Sequence, residues 1–234
     1  MNPYIISVIA FVLAVVAETC AEPTRLVQGQ ESDYVPKSVS LTSPSAAGPG
    51  AAWSTDVFTG GRGGYHAYRI PAMVVSPQGS LIVFCEARKS SLSDDGDIDL
   101  LSRRSEDGGK TWLAPQLVIE EGGEARVKYG NPTAVVDQST KTIWLAINRD
   151  YVDNRGRRRG GTLVLMRSSD DGKSWSPPID ITSQTKEPSW KHYAFGPGIG
   201  IQLQHGPLKG RLILPANYRE SFNKREPSWS HLVY

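Results

Sequence analysis

The sequence predicts an all-β fold and, among all-β folds, a β-propeller built from repeated four-stranded units. Three observations carry this. The chain of 234 residues holds 23 Gly and 16 Pro, a supply of turn formers suited to many short strands rather than long helices. Short apolar segments recur at 72–75, 81–85, 98–101, 117–119, 134–136, 143–147, 163–166, 199–203 and 211–214. They are bounded by turn signals such as Pro77-Gln78-Gly79 and Asp107-Gly108-Gly109, and none keeps a 3.6-residue period over three turns. Finally, one eight-residue pattern, Ser-x-Asp-x-Gly-x-Thr/Ser-Trp, occurs at 105–112 and again at 168–175, a spacing of 63 residues.

That pattern describes a tight hairpin. The Asp carboxylate can accept hydrogen bonds from the turn's own amides, the Gly supplies positive φ, the hydroxyls tie the arms together, and the Trp starts the return strand. Each copy follows an apolar strand and precedes a Pro-containing segment (Ala114-Pro115, Pro177-Pro178), which fits the last two strands of a four-stranded blade. A second echo, Lys186-Glu187-Pro188-Ser189-Trp190 against Arg225-Glu226-Pro227-Ser228-Trp229, has a spacing of 39 that does not match and carries no weight in the sequence alone.

Ahead of the strands, residues 1–21 read as a secretory leader. An apolar run at 5–17 is too short to span a bilayer comfortably, and it is followed by Thr19-Cys20-Ala21, with cleavage expected near Ala21. Residues 22–52 are rich in Ser, Pro, Gly and Ala and read as a linker, leaving 53–234 for the propeller. The leader implies a secreted or extracytoplasmic protein. Its removal leaves Cys85 without a partner in the chain, so stability must come from burial.

Composition excludes several classes. A net charge of +2 gives no reason to expect nucleic acid or an anionic membrane as partner. The basic run Arg155-Gly156-Arg157-Arg158-Arg159 reads as a solvated loop tip. His66, His192, His205 and His231 lack metal-ligand spacing. Asp95, Asp97, Asp99 and Glu106 fall at positions 1, 3, 5 and 12 of a calcium loop, but Leu100 stands where that loop needs its glycine, so no metal is expected. Gly196-Pro197-Gly198-Ile199-Gly200 has the wrong spacing for a dinucleotide site and is expected to shape a loop near a pocket.

The eight-residue pattern is the Asp box, which also occurs in propellers of other functions and so marks fold more than activity. The sharper signal is Tyr68-Arg69-Ile70-Pro71, which resembles the motif that opens the sialidase propeller. It is followed by Phe84-Cys85-Glu86-Ala87-Arg88, then Ser93-Asp94-Asp95-Gly96, then the first Asp box. From 68 to 219 this order and spacing resemble bacterial secreted and animal lysosomal sialidases, with further likeness at 195–202 and 209–215.

The resemblance implies a six-bladed propeller, of which 53–234 would supply roughly three blades, and a retaining exo-α-sialidase that removes terminal sialic acid from glycoconjugates. It makes Arg69 the first of three arginines that hold the substrate carboxylate, a task for which a planar, permanently charged guanidinium is suited. It places Arg88 at the sugar 4-position, with a strand-end arginine packed on Glu86 as the plain structural alternative. Asp94 becomes the acid/base, in a family whose nucleophile is a Tyr assisted by a Glu rather than a second carboxylate. Asn131, in Tyr129-Gly130-Asn131-Pro132, stands where the family often places a polar sugar contact, although Asn before Pro also suits a turn.

No cofactor and no obligate protein partner are implied; the expected partners are sialylated glycans. The rival class is a non-catalytic propeller that binds acidic glycans, disfavoured because anion recognition gains nothing from a nearby carboxylate. The Tyr, the Glu and two further arginines are expected downstream, and 230–234 reads as a strand cut in mid-blade. The chain as given is therefore expected not to hydrolyse substrate, and a clear catalytic rate from purified 22–234 would contradict that.

Overall fold

The computed structural model describes residues 54–121, 126–153, 155, 158–221, 223 and 225–234. The expected leader (1–21), the linker (22–52) and Gly156 and Arg157 of the basic run lie outside the described residues, and Arg158 and Arg159 of that run open a strand. Residues from Val57 to Tyr234 form one unit, and it is nearly all β.

Its first sheet layer is an antiparallel meander of β1 (Ala67–Val75), β2 (Leu81–Arg88), β3 (Ile98–Ser105) and β4 (Gln116–Ile119). The second repeats it with β5 (Arg126–Asp137), β6 (Thr142–Val152), β7 (Arg158–Ser168) and β8 (Ile179–Asp180), followed by a one-turn helix α1 (Thr182–Thr185). In the third, β9 (His192–Phe195) and β11 (Ile201–Gln202) both pair with β12 (Leu212–Arg219), which pairs with β13 (Trp229–Val233). The intervening β10 (Gly198–Ile199) turns aside to pair parallel with Thr133 and Ala134 of β5. The apolar segment expected as one strand at 199–203 is thus split at Gly200, where a Cβ would stand 2.5 Å from the Ile213 carbonyl oxygen.

Two cores lie between the layers. Ile82, Phe84 and Leu100 of the first meet Tyr129, Leu145 and Ile147 of the second. Val135, Ala146 and Leu163 of the second meet Tyr193, Phe195 and Leu214 of the third. Because layers stack face to face, a central strand such as β2 is buried on both faces and reads as a continuous apolar run instead of alternating.

Both Asp boxes fold as their chemistry dictates. The serine hydroxyl donates to the box aspartate (Ser105 to Asp107 and Ser168 to Asp170, 2.8 Å each) and accepts the glycine amide (Gly109 at 2.7 Å, Gly172 at 2.9 Å). The aspartate then accepts the amide and hydroxyl of Thr111 (2.9 and 2.6 Å) or Ser174 (3.0 and 2.5 Å). The hydrogen bonds from Thr111 hold the exposed Asp107 carboxyl at about 2. Burial works against Ser174 at Asp170, which still lies at about 2. The residue after each box aspartate is left-handed, Gly108 at φ 75° and Asp171 at φ 67°, and Asp belongs to the few side chains that tolerate this.

Asp171 also joins two layers. Its carboxylate accepts from Ser80 (2.8 Å) and from Arg104 (2.5 Å), so the second box is pinned to the base of the first sheet. The unweighted echo gains a structural meaning in the third layer. Trp190 and Trp229 both stack on Tyr218, at 3.9 and 5.3 Å with planes within 11° and 12° of parallel.

Asp171→Asn keeps the left-handed backbone preference and removes only the charge facing Arg104. It is expected to cost about 2 kcal/mol in urea unfolding at pH 7, with Glu106 left facing Arg104 at 3.0 Å. Burial raises the Asp171 pKa, but bonds from Ser76, Ser80 and Arg104 bring it below 3.8. The contribution of its charge is therefore present above that value and lost as pH falls through the folded pKa, so wild type and variant should converge in acid.

Candidate functional site

The chemistry-bearing side chains gather at the end of the sheets opposite the Asp boxes. Arg69 sits at a break in β1, where the register with β2 shifts between Arg69 and Ala72 and Ile70 takes φ 57°. A β-branched residue in the left-handed region is strained, and the bulge it makes re-aims the side chain before it. Cys85, buried in β2, donates its thiol to the Arg69 carbonyl at 3.1 Å and so supports the bulge from below. Burial pushes that thiol well above its ordinary range, which keeps it the donor this contact requires.

Arg88 ends β2. Its side chain is 1% exposed, and it donates to Glu86 Oε2 at 2.6 Å, to Asp94 Oδ1 at 2.8 Å and to the Leu92 carbonyl. Arg88 thus packs on Glu86, as the plain structural reading expected, and it also faces Asp94. Asp94 lies in the loop between β2 and β3, 62% exposed, with Arg69 Nη1 at 3.4 Å on the same oxygen. Burial raises the Asp94 pKa, but the bond and charge of Arg88, with Lys128 and Arg69 beyond, bring it below 3.8. Two guanidinium groups therefore converge on one exposed carboxylate. Arg88 is fixed by Glu86 and the Leu92 carbonyl; among the described residues, Arg69 makes long contacts, with Leu92 O and Asp94 each at 3.4 Å.

Asn131 approaches from the second layer. It occupies the same kind of bulge in β5 as Ile70 does in β1, at φ 51° and before a proline. Its amide donates to Glu86 Oε1 at 3.0 Å, and its side chain donates to the Phe195 carbonyl at 3.3 Å. Asn131 is therefore a strand-bulge residue rather than a turn residue, and it joins the cluster through Glu86. The Gly-Pro-Gly segment lies against it, with Gly196 at φ 37° and no room for a Cβ beside Thr133 Oγ1 at 2.3 Å.

Sequence reasoning weighed Glu86 only as a partner for Arg88 and missed Lys128 and Gly130. Glu86 is fully buried, with Lys128 Nζ 3.9 Å from Oε1. At Gly130 a Cβ would stand 2.4 Å from Glu86 Oε1 and 2.5 Å from Lys128 Cε; glycine is what lets the carboxylate reach between layers. The available signal was a pair of charges, Glu86 and Arg88, ending an otherwise apolar strand.

The acid-rich run is held by a lysine. Asp97 Oδ2 and Asp99 Oδ1 face Lys89 Nζ at 3.1 and 3.3 Å. A cavity of about 500 Å³ lies at the other end of β2, lined by Ser80, Glu106, Asp170 and Asp171 among others. It contains none of the candidate residues.

Comparison with known proteins gives the family. The BNR repeat-like domain matches residues 79–233. A sialidase of Bacteroides fragilis is 34% identical over 66% of this chain and 31% of its own length. An exo-alpha-sialidase of Aspergillus fumigatus is 32% identical over 71% of this chain and 46% of its own. The solved Hadza microbial sialidase Hz136 superposes with a TM-score of 0.57 at 32% identity, covering 66% of this chain and 33% of that one. The chain thus spans between about a third and a half of the length of these relatives. With its β-propeller sheets, paired Asp boxes and matching domain, the chain belongs to the BNR repeat-like family of sialidases.

Proposed function

We propose that the protein is an exo-α-sialidase, releasing terminal sialic acid from glycoconjugates with retention of configuration, and that Arg69, Arg88, Asn131 and Asp94 are its residues in this part of the site. The observation that carries the reading is the convergence of Arg69 and Arg88 on the exposed Asp94 carboxylate.

Each role follows from chemistry. Arg69, half-exposed and weakly engaged, has donors to offer a substrate carboxylate as a fork. Arg88, held by Glu86 and the Leu92 carbonyl, would present a fixed edge to the sugar ring. Asn131 lines the neighbouring wall from β5. Held by two guanidiniums, Asp94 is a carboxylate, the form that takes a proton from water. To give a proton to a leaving glycosidic oxygen it must loosen from them, and a substrate carboxylate on Arg69 would remove one of the two. The sugar's own charge would then raise the Asp94 pKa toward what a general acid needs.

Sialylated glycoproteins, glycolipids and oligosaccharides are the substrates this reading implies. Secretion is part of the proposal and rests on the leader-like residues 1–21.

Release of 4-methylumbelliferone from its α-sialoside by the protein made from its complete reading frame tests the proposal. Wild type should be active, and Asp94→Ala should lose at least about tenfold in kcat. Arg69→Lys should lose mainly through KM, by about tenfold, since a point charge cannot reproduce the fork. A well-folded, inactive wild type that still binds sialosides would support the glycan-binding reading instead.

A further inference from the structure

We propose that Lys89 is a positioning residue for Asp94: it closes the base of the Asp94 loop by bridging Asp97 and Asp99. The inference rests on the acid/base reading of Asp94, but its geometry stands apart from it. The loop between β2 and β3 runs from Lys89 to Asp97, longer than the two to five residues usual in a hairpin. It carries Ser90, Ser91, Ser93 and Gly96 and little that could pack. A loop of this composition needs fixed ties to hold one carboxylate in place.

Two ties exist. At the tip, Arg88 holds the Leu92 carbonyl and Asp94 itself. At the base, Lys89 N–H donates to the Asp97 carbonyl at 3.2 Å, while its ammonium meets Asp97 Oδ2 at 3.1 Å and Asp99 Oδ1 at 3.3 Å. The tip tie is the one substrate would loosen. The base tie is independent of it and would keep the loop from leaving the site when that happens.

Lys89 is more than a surface ion pair. Exposed pairs contribute little, but the Asp99 side chain is 4% exposed, and a buried carboxylate demands compensation. Its other oxygen accepts the Tyr65 hydroxyl at 2.7 Å, from the segment ahead of β1. Asp99 is therefore fixed from two sides, and Lys89 transmits that fixity across the loop base. Burial lowers the Lys89 pKa, yet the bonds from Asp97 and Asp99 raise it above its ordinary value, so the ammonium is charged throughout the working range.

The test compares Lys89→Met, which keeps the stem and removes the charge, with Lys89→Arg, which keeps the charge. Amide hydrogen exchange should speed about tenfold across 90–97 in the Met variant, with β5 to β8 unchanged, and stay near wild type in the Arg variant. In kinetics, Lys89→Met should lose about 100-fold in kcat on sialyllactose, whose leaving group must be protonated, but less than about tenfold on the aryl sialoside, with rescue by Arg. Unchanged exchange in 90–97 would overturn the inference, as would equal losses on both substrates, which mark general damage. If wild type cleaves neither substrate, the sialidase reading fails while the exchange result still decides the role of Lys89.

Discussion

The site depends on one buried carboxylate. Glu86 has no exposed surface, yet it binds Arg88 through one oxygen and the Asn131 amide through the other. A carboxylate in such a place is tolerated only when both oxygens are hydrogen-bonded and opposite charge is close. Both conditions are met from different layers: Arg88 comes from its own strand, Lys128 and the Asn131 amide from β5. The carboxylate thereby sets the distance between the first two layers at the site end. The absence of a side chain at Gly130 follows from it, because any Cβ there would occupy the space Glu86 needs.

At the opposite end, the Asp boxes do the corresponding work without a central ion pair in each. Both turns satisfy themselves internally, so they are stiff before they meet anything else. The second box then docks by adding Asp171, whose partners Ser80 and Arg104 belong to the first layer. The first box has Gly108 at that position, with the same backbone conformation and no carboxylate to extend. A local motif fixes turn shape, and the variable residue within it decides which neighbour the turn holds. The tie made by Asp171 at this end is separate from the one Glu86 makes between the first two layers at the other.

The sequence disclosed much of this because its signals are local. Turn chemistry in the Asp boxes is written in eight consecutive residues, and its hydrogen bonds formed as those residue types require. Arg69, Arg88 and Asp94 were identified through a resemblance, and the structure places them in contact. What stayed hidden depends on pairing across strands. Glu86 and Gly130 take their meaning from the layer opposite. β9 is only four residues long, His-Tyr-Ala-Phe, and its burial comes from β12 and the second layer rather than from any pattern of its own. Trp190 and Trp229 share a motif at a spacing no blade repeat would give, because the repeat records contact with one tyrosine, not the pitch of the sheets.

A second periodicity ties the site to the fold. A left-handed residue followed by proline stands within the first strand of two layers, Ile70-Pro71 in β1 and Asn131-Pro132 in β5, and directly after the first strand of the third, Gly196-Pro197 after β9. Their spacings of 61 and 65 residues bracket the 63 of the Asp boxes, so the bulge is a property of the repeat, not of one catalytic residue. A proline donates no ladder hydrogen bond, and a residue at positive φ bends the strand; together they interrupt the pairing of β1 with β2 and of β5 with β6, and follow the end of β9. The freed backbone becomes available to side chains, as when the Asn131 amide turns to Glu86 and the Phe195 carbonyl accepts from Asn131. Breaks at these points exchange sheet bonds for contacts between layers, at the end of the strands where Arg69 and Asp94 face each other. The placement of the site is a consequence of where the repeat breaks its own sheets.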